Sequence, residues 1–375
     1  MSEVAIVGAG LSGLVLARIL QQHGIESTVY ERDASRDVRG QGGSLDIHEE
    51  SGQVALRAAG LLDEFRRHTH PQGEHLRVLD KSAHVFIDAG AEGGRPEIDR
   101  TALRDLLIDS LDPGRIVWDS KVTAVAALGD GRHRLSLADG TEVTADLLVG
   151  ADGTWSRVRP LLSAATPEYC GISHIEIGVS DAVTRHPDLA AIVGPGVLFA
   201  LSDGRGILGH GGDNLGLGIS LRVPQDWVAA TGVDWSDAVA ARAFLLAEFA
   251  DWAPELTDLI RRCDDTITPR QIFALPIGHR WDRVPGVTLV GDAAHVMSPY
   301  AGEGANLAML DAAELALAII EHPGDLETAL GKYEAAMFPR AEGAAEGSAQ
   351  GLEMCFSPES PKEIVHFFSS MAPAD

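Results

Sequence analysis

The chain has 375 residues, 45 % of them hydrophobic and 23 % charged, proportions that fit a globular protein of two domains and exclude a mostly disordered or fibrous one. Its 30 basic residues stand against 55 acidic ones, a net charge of −25, and a surface that negative repels nucleic acid and anionic lipid, so DNA, RNA or membrane-surface binding is set aside as a main function. The three cysteines, Cys170, Cys263 and Cys355, are far apart with no C-x-x-C spacing, which leaves neither a disulfide framework nor a cysteine zinc site.

The opening Met1-Ser2-Glu3 carries no basic stretch and runs into Val4-Ala5-Ile6-Val7, too short and strand-like for a secretory signal. That apolar run, the turn Gly8-Ala9-Gly10-Leu11-Ser12-Gly13, an apolar-periodic stretch through Leu20, and a second run from Ser27 to Tyr30 ending on Glu31 read as strand, tight turn, helix, strand. Within residues 50–68, Val54, Leu56, Ala59, Leu62 and Phe65 fall at helical spacing, and 76–79 with 85–87 form a hairpin. A helix is predicted over 101–111, with Asp99 and Thr101 as candidate caps. Further on, Gly129-Asp130-Gly131 and Asp139-Gly140 mark hairpin turns before the buried strand Leu147-Leu148-Val149. Residues 165–265 differ in kind, with glycine-rich β-like pieces followed by helical pieces, and read as an insertion. The α/β pattern then returns with a strand at 287–290, Gly291-Asp292, a helix over about 304–320 and helical stretches to the end. The longest apolar stretch, 307–320, is interrupted by Asp311 and Glu314 and falls short of the ~20 residues that span a bilayer. A cytoplasmic, reduced protein, monomeric and without a membrane partner, is expected.

Gly8, Gly10 and Gly13 form G-x-G-x-x-G, and Glu31 lies 23 positions after Gly8. Gly8 permits a tight turn, Gly10 lets a pyrophosphate approach the backbone, Gly13 lets helix and strand pack closely, and Glu31 accepts hydrogen bonds from ribose hydroxyls. A second G-x-G-x-x-G at Gly204, Gly206 and Gly209 is followed by no helix and reads as a β-hairpin turn, leaving one nucleotide fold. His48 and His295 have no third ligand at metal spacing, so no metal is expected. Ser156 lies in no G-x-S-x-G elbow, which removes acyl transfer.

Two remote segments narrow the cofactor: Gly150-Ala151-Asp152-Gly153-Thr154-Trp155-Ser156-Arg157-Val158-Arg159, and Val290-Gly291-Asp292-Ala293-Ala294-His295, each after an apolar strand. With the amino-terminal turn they resemble the FAD-dependent, aromatic-hydroxylase-type (class A) flavin monooxygenases. The resemblance extends, over nearly the whole chain, to the tetracycline-inactivating branch, through Val29-Tyr30-Glu31-Arg32-Asp33, Gly42-Gly43-Ser44-Leu45-Asp46-Ile47-His48, Pro96-Glu97-Ile98-Asp99-Arg100 with Leu103-Arg104, Asp226-Trp227, and Pro299-Tyr300-Ala301-Gly302-Glu303-Gly304-Ala305-Asn306. It implies an α/β fold: a Rossmann-like FAD-binding domain (1–72, 97–164 and 266–322), an inserted β-sheet-rich substrate domain (73–96 and 165–265), and a C-terminal helical segment (323–375) bracing both.

By the same resemblance, non-covalent FAD is held by Gly8, Gly10, Leu11, Ser12, Gly13, Glu31 and Arg32, by Arg39, Arg100 and Arg104, by Asp152 and Gly153, and by Gly291 and Asp292. The loop Pro299, Gly302, Gly304, Ala305 and Asn306 faces the flavin, its backbone N–H groups and helix end supporting negative charge on the ring. No side chain serves as catalytic acid or base, because a flavin C4a-hydroperoxide carries the difficult step. The implied reaction is NADPH- or NADH-dependent hydroxylation, by O2, of an electron-rich, polycyclic phenol or enol of polyketide or tetracycline type. An FAD reductase that never uses oxygen, or a flavoprotein that sequesters a small molecule, are the alternatives. Gly216, Tyr300 and Met354 fall at substrate positions. Since the tetracycline branch has a histidine where this chain has Gly216, slow or no tetracycline turnover is expected unless His210 or Asn214 supplies the contact.

Overall fold

The computed structural model describes residues 3–38, 43–69, 74–90 and 94–371; Arg39 and Gly42, singled out above, lie outside them. A five-stranded parallel sheet has the order Val287–Leu289, Leu147–Gly150, Val4–Val7, Ser27–Tyr30, Ile116–Val117. Every residue of Val4–Val7 and Leu147–Gly150 is buried, as strands covered on both faces require. Helices Leu11–Gln22 and Gly304–Glu321 pack on this sheet and on each other. A three-stranded antiparallel meander (Val122–Ala127, His133–Leu137, Glu142–Ala145) turns at the two predicted Asp-Gly sites.

The inserted segment builds a seven-stranded sheet in the order Thr268–Ala274, Glu168–Val179, Leu215–Arg222, Arg205–His210, Val197–Ser202, Leu76–Leu79, Val85–Ala89. Thr268–Ala274 pairs antiparallel with Glu168–Val179, so this sheet reaches past the limit at 265 expected for it. An edge strand is defined by the partner it bonds, and its own composition does not reveal that partner. The second glycine motif is a hairpin turn between Ser202 and Arg205, with Gly206 and Gly209 inside a strand. One face of the sheet buries Ile207, Leu217 and Ile219 against helices Ala238–Glu248 and Pro254–Arg261. The opposite face carries Leu208, His210, Gly216, Gly218 and Ser220, because directly paired residues share a face.

Residues 50–68 form two helices rather than one, Gly52–Ala58 and Leu62–Arg67, separated at Gly60, whose φ of +69° ends the first. Helix Arg100–Asp109 begins where Asp99 accepts a hydrogen bond from the Ala102 N–H at 3.0 Å. The 31-residue helix Leu326–Phe356 touches both halves. Arg340 on it reaches Asp311 and Glu314 of helix Gly304–Glu321, and near its end the Arg222 Nε of the large sheet donates to the Phe356 carbonyl. Among the described residues no helix is long and apolar enough to cross a membrane.

Candidate active site

The first strand ends in a turn whose three glycines do different things. Gly8 has φ +108°, and a Cβ there would overlap the carbonyl oxygen of Ala151 on the neighbouring strand's exit. A Cβ on Gly13 would overlap the Gly8 carbonyl oxygen. A Cβ on Gly10 would meet nothing within 4 Å, so this glycine keeps open space above the backbone and leaves the packing to the other two. Gly10 is also the N-cap of helix Leu11–Gln22, with no side-chain cap, so the first N–H groups point outward, an arrangement that suits an anion.

Ala9, in the same turn, is gripped from both sides. Its N–H donates to the buried Glu31 carboxylate at 2.7 Å, and its carbonyl accepts from Nε of the buried Arg104 at 3.2 Å. The second Glu31 oxygen accepts from the Asp33 N–H. Arg104 also donates to the Arg36 carbonyl and lies over the Trp118 ring, so it shapes the turn from behind. Arg32 is exposed and no nearer to Asp33 than 4.0 Å.

The second wall comes from the segments after the two neighbouring strands. Asp152 accepts from the Arg157 N–H through Oδ2 at 2.6 Å, while its Oδ1 is buried without a partner; burial raises its pKa. Gly153 is left-handed, with open space where a Cβ would stand. Gly291, at φ +60°, is squeezed between helices, since a Cβ would come within 2.8 Å of Ala308 and 3.3 Å of the Ser12 hydroxyl. Asp292 follows. Solvent reaches its side chain, yet surrounding protein raises its pKa by desolvation, against the pull of His295, Arg100 and Arg159. Those two observations describe a carboxylate on the floor of a deep cleft. Arg100, its own pKa lowered by burial, feels the charges of Asp292 and of Glu176 on the large sheet, so the cleft borders both the parallel sheet's carboxyl ends and the large sheet.

The third wall is the turn Pro299–Ala301 and the helix after it. Gly302 is left-handed at φ +70°, and a Cβ there would stand 3.7 Å from the Asp46 carboxylate. Helix Gly304–Glu321 has no side-chain cap, leaving the N–H groups of Gly304 and Ala305 for a ligand. The Asn306 side chain is already committed: its Nδ2 donates to the Asp46 carbonyl and its Oδ1 accepts from the His48 N–H, both at 2.9 Å. It fastens the helix to strand Ser44–Asp46 and offers only its backbone to the cleft. Behind the turn, Gly351 of the long helix allows contact with the Tyr300 carbonyl, and Ser298 exchanges hydrogen bonds with Ser348.

This cleft suits a dinucleotide with a flat ring. It offers open space over Gly10 at a helix start for phosphate, and an unpartnered Asp152 oxygen with the Asp292 carboxylate as acceptors for hydroxyl or N–H groups. A second open helix start stands at Gly304 for an electron-rich edge. In agreement, a family model described as "FAD binding domain" matches residues 1–243 and 268–348. The chain belongs to this family, the class A flavin monooxygenases. The monooxygenase is 30 % identical over 428 residues to "Monooxygenase penA" of Penicillium thymicola, a match covering 98 % of each chain. Its fold is that of Klebsiella pneumoniae HpxO solved with FAD and uric acid (TM-score 0.81, 22 % identity, 98 % of this chain and 92 % of that one). It is also that of tetracycline destructase Tet(51) (TM-score 0.75, 19 % identity, 99 % and 95 %). The enzyme is an FAD-dependent monooxygenase.

Two groups of residues in the monooxygenase carry structure that the sequence reading assigned to no one. Arg159, buried, donates to the carbonyls of Ala293 and Thr154 at 2.8 Å and of Asp292 at 3.3 Å, tying the Gly153 segment to the Asp292 segment. It stands within the quoted Asp-Gly segment, but nothing local separates it from exposed Arg157. His295 and Asp311 meet at 2.5 Å, with the Gly291 N–H and Arg340 on the same carboxylate, so the Gly291-Asp292 turn is anchored to two helices. Among the substrate candidates, Tyr300 packs edge-on to Phe356 at 5.2 Å with its hydroxyl buried and unpartnered. Met354 joins the same cluster, with Phe199 and Leu208. Gly216 lies on the sheet face that Leu208 shares.

Proposed function

We propose that this monooxygenase hydroxylates an electron-rich polycyclic phenol or enol, with NADPH or NADH as a transient reductant. The observation that carries the reading is the face of the large sheet turned to the cleft. Gly216 leaves it open beside Leu208, the side chains of Leu201 and Leu208 cover Gly206 and the His174 ring covers Gly218, and Phe199, Tyr300 and Met354 continue it as an apolar wall, a surface for a broad, flat ring system. The ring-shaped ligands in the names of similar proteins, uric acid for HpxO and tetracycline for Tet(51), support a flat substrate.

FAD, when bound, supplies the activation of oxygen. The chain's part is to hold and orient. The Gly10 turn, Asp152 and Asp292 seat the dinucleotide, the N–H groups of Gly304 and Ala305 support negative charge at the ring edge, and the sheet face positions the substrate carbon and excludes water. With a single nucleotide fold, the chain would hold NAD(P)H weakly, and NAD(P)H would supply reducing equivalents without being retained. The open Gly216 position gives tetracycline itself no side-chain partner there, and its turnover is slow or absent in this account.

The test is a screen of aromatic polyketide phenols for stimulated NADPH and NADH consumption, read by product mass. A product heavier by one oxygen supports the reading. Stimulated consumption with a reduced, unoxygenated product would make the enzyme a reductase, and binding with no stimulation at all would make it a sequestering protein.

A further inference from the structure

One ion pair joins the strand Glu97–Asp99 to the large sheet. Glu97, on strand Glu97–Asp99, is 2 % exposed, and its carboxylate lies 2.5 Å from Nδ1 of His210. Among the described residues no arginine or lysine pairs with Glu97, so the imidazole alone compensates a buried carboxylate, a charge that is costly to leave unpaired. The His210 side chain keeps 31 % of its surface accessible, and among the described residues nothing hydrogen-bonds its Nε2.

The position of the pair matters as much as its chemistry. His210 ends strand Arg205–His210, directly opposite Gly216 in the antiparallel ladder. A side chain at 216 would occupy the same face; a Cβ there would find only the Gly43 Cα, at 3.7 Å. On its other side stands strand Ser44–Asp46, which pairs with the Glu97 strand and whose Asp46 carboxylate approaches Gly302 of the flavin-facing turn. The neighbouring His48 is fully buried and bonded to Asp46, and His174, on the same sheet face, spends its Nδ1 on Ser220 and packs over Gly218, which leaves His210 as the imidazole beside Gly216. Burial works against charge on His210, but the hydrogen bond and charge of Glu97, with Asp46 behind it, outweigh that and raise its pKa.

We propose, against the expectation that no side chain acts as acid or base, that Glu97 and His210 form an acid–base pair that recognises an ionisable hydroxyl of the substrate; this rests on the phenol or enol reading above. The Nε2 of a neutral imidazole takes the hydroxyl proton, and the O–H electron pair stays on the substrate oxygen. The resulting imidazolium, held by Glu97 through its Nδ1–H, donates back to the oxyanion. The same complex forms when the substrate arrives ionised and the imidazole already carries the proton. An oxyanion on the ring raises the electron density of the adjacent carbons, which is what an electrophilic oxygen requires of its target. Gly216 gives the substrate room to lie against the imidazole, so this open position and the acid–base pair work as one specificity element.

The experiment compares a naphthol with its methyl ether on the FAD-loaded enzyme, binding being read from the perturbed flavin absorbance and ionisation from the naphtholate spectrum. The wild type is expected to bind the naphthol roughly 10- to 100-fold more tightly than the ether, as the loss of a charged hydrogen bond implies, and to hold it as the anion below its solution pKa. His210→Gln and Glu97→Gln should each bring the two ligands within about threefold, the size left when that bond is removed, with FAD content and unfolding midpoint kept in His210→Gln. Equal binding of naphthol and ether by the wild type, discrimination surviving in His210→Gln, or no perturbation by either ligand would each overturn the proposal. A hydroxyl-selective site in an enzyme that yields no oxygenated product would leave the pair standing and sink the hydroxylation reading instead.

Discussion

Substituting each glycine of the first turn by alanine separates the fold's needs from the cofactor's. At Gly13 the new methyl overlaps the Gly8 carbonyl oxygen and stands 3.3 Å from the Ile6 side chain, so helix Leu11–Gln22 has to move off the sheet. Overpacking of that kind costs about 1–3 kcal/mol, and a clash with backbone belongs at the top of the range. At Gly8 a similar overlap with Ala151 adds to a φ of +108°, a region that costs an L-residue ~1–2 kcal/mol. At Gly10 the backbone is extended (φ −79°, ψ 179°) and nothing lies within 4 Å. Losing glycine at an N-cap costs up to ~1 kcal/mol, and the lower entropy of the unfolded chain returns ~0.4–1 kcal/mol, so the two nearly cancel. The Gly10 methyl instead fills the space through which a pyrophosphate approaches, and ~1–3 kcal/mol of overlap there weakens FAD about 5- to 150-fold. Urea unfolding of the apoprotein and FAD titration by flavin fluorescence read the two effects separately. Gly10→Ala with wild-type FAD affinity, or with an apoprotein as destabilised as Gly13→Ala, would refute the division of labour.

Asp292→Asn should leave the apoprotein as stable as the wild type or more so, since burial already disfavours the charged carboxylate, while weakening FAD by roughly 10- to 150-fold through loss of a charged hydrogen bond; unfolding and FAD titration together check this. Arg159→Gln leaves four carbonyls short of a donor and should cost about 3 kcal/mol, read as a lower urea midpoint with an unchanged slope. Stability should also follow the His295–Asp311 pair. Burial opposes charge on both, yet their mutual attraction raises His295 above its ordinary 6.5 and lowers Asp311 below 3.8. The histidine's contribution is therefore full below pH 6.5 and lost as pH climbs through its raised pKa; the aspartate's is full above 3.8 and lost as pH falls through its lowered one. Urea midpoints measured against pH should be highest between those limits in the wild type and flatter in Asp311→Asn.

What the sequence made legible was whatever a short stretch of chain decides by itself. The first turn announces itself because the glycines and the strand and helix around them are contiguous, and the Asp99 cap because donor and acceptor are three residues apart. The second glycine motif could be separated from the first because no helix follows it, and the hairpin at 202–205 is what the chain forms there. Residues whose meaning depends on distant partners were hidden. Arg159 reaches across 134 positions to Ala293, and His210 across 113 to Glu97. Neither has a local pattern that marks it as buried or paired. Asn306 was legible as a member of the flavin-facing loop, but that its side chain is spent on Asp46 and His48, 260 and 258 positions away, follows only from the packing of helix on strand. The edge strand Thr268–Ala274 belongs to the same class, its identity lying in the ladder it completes.

The source of the added oxygen tests the hydroxylation most directly. With a phenol that stimulates NAD(P)H consumption, turnover under isotopically heavy dioxygen in ordinary water should give a product carrying one heavy oxygen atom, and turnover in heavy water-oxygen under ordinary dioxygen a product carrying none. An oxygen that comes from water, or a product with no added oxygen at all, would contradict the account.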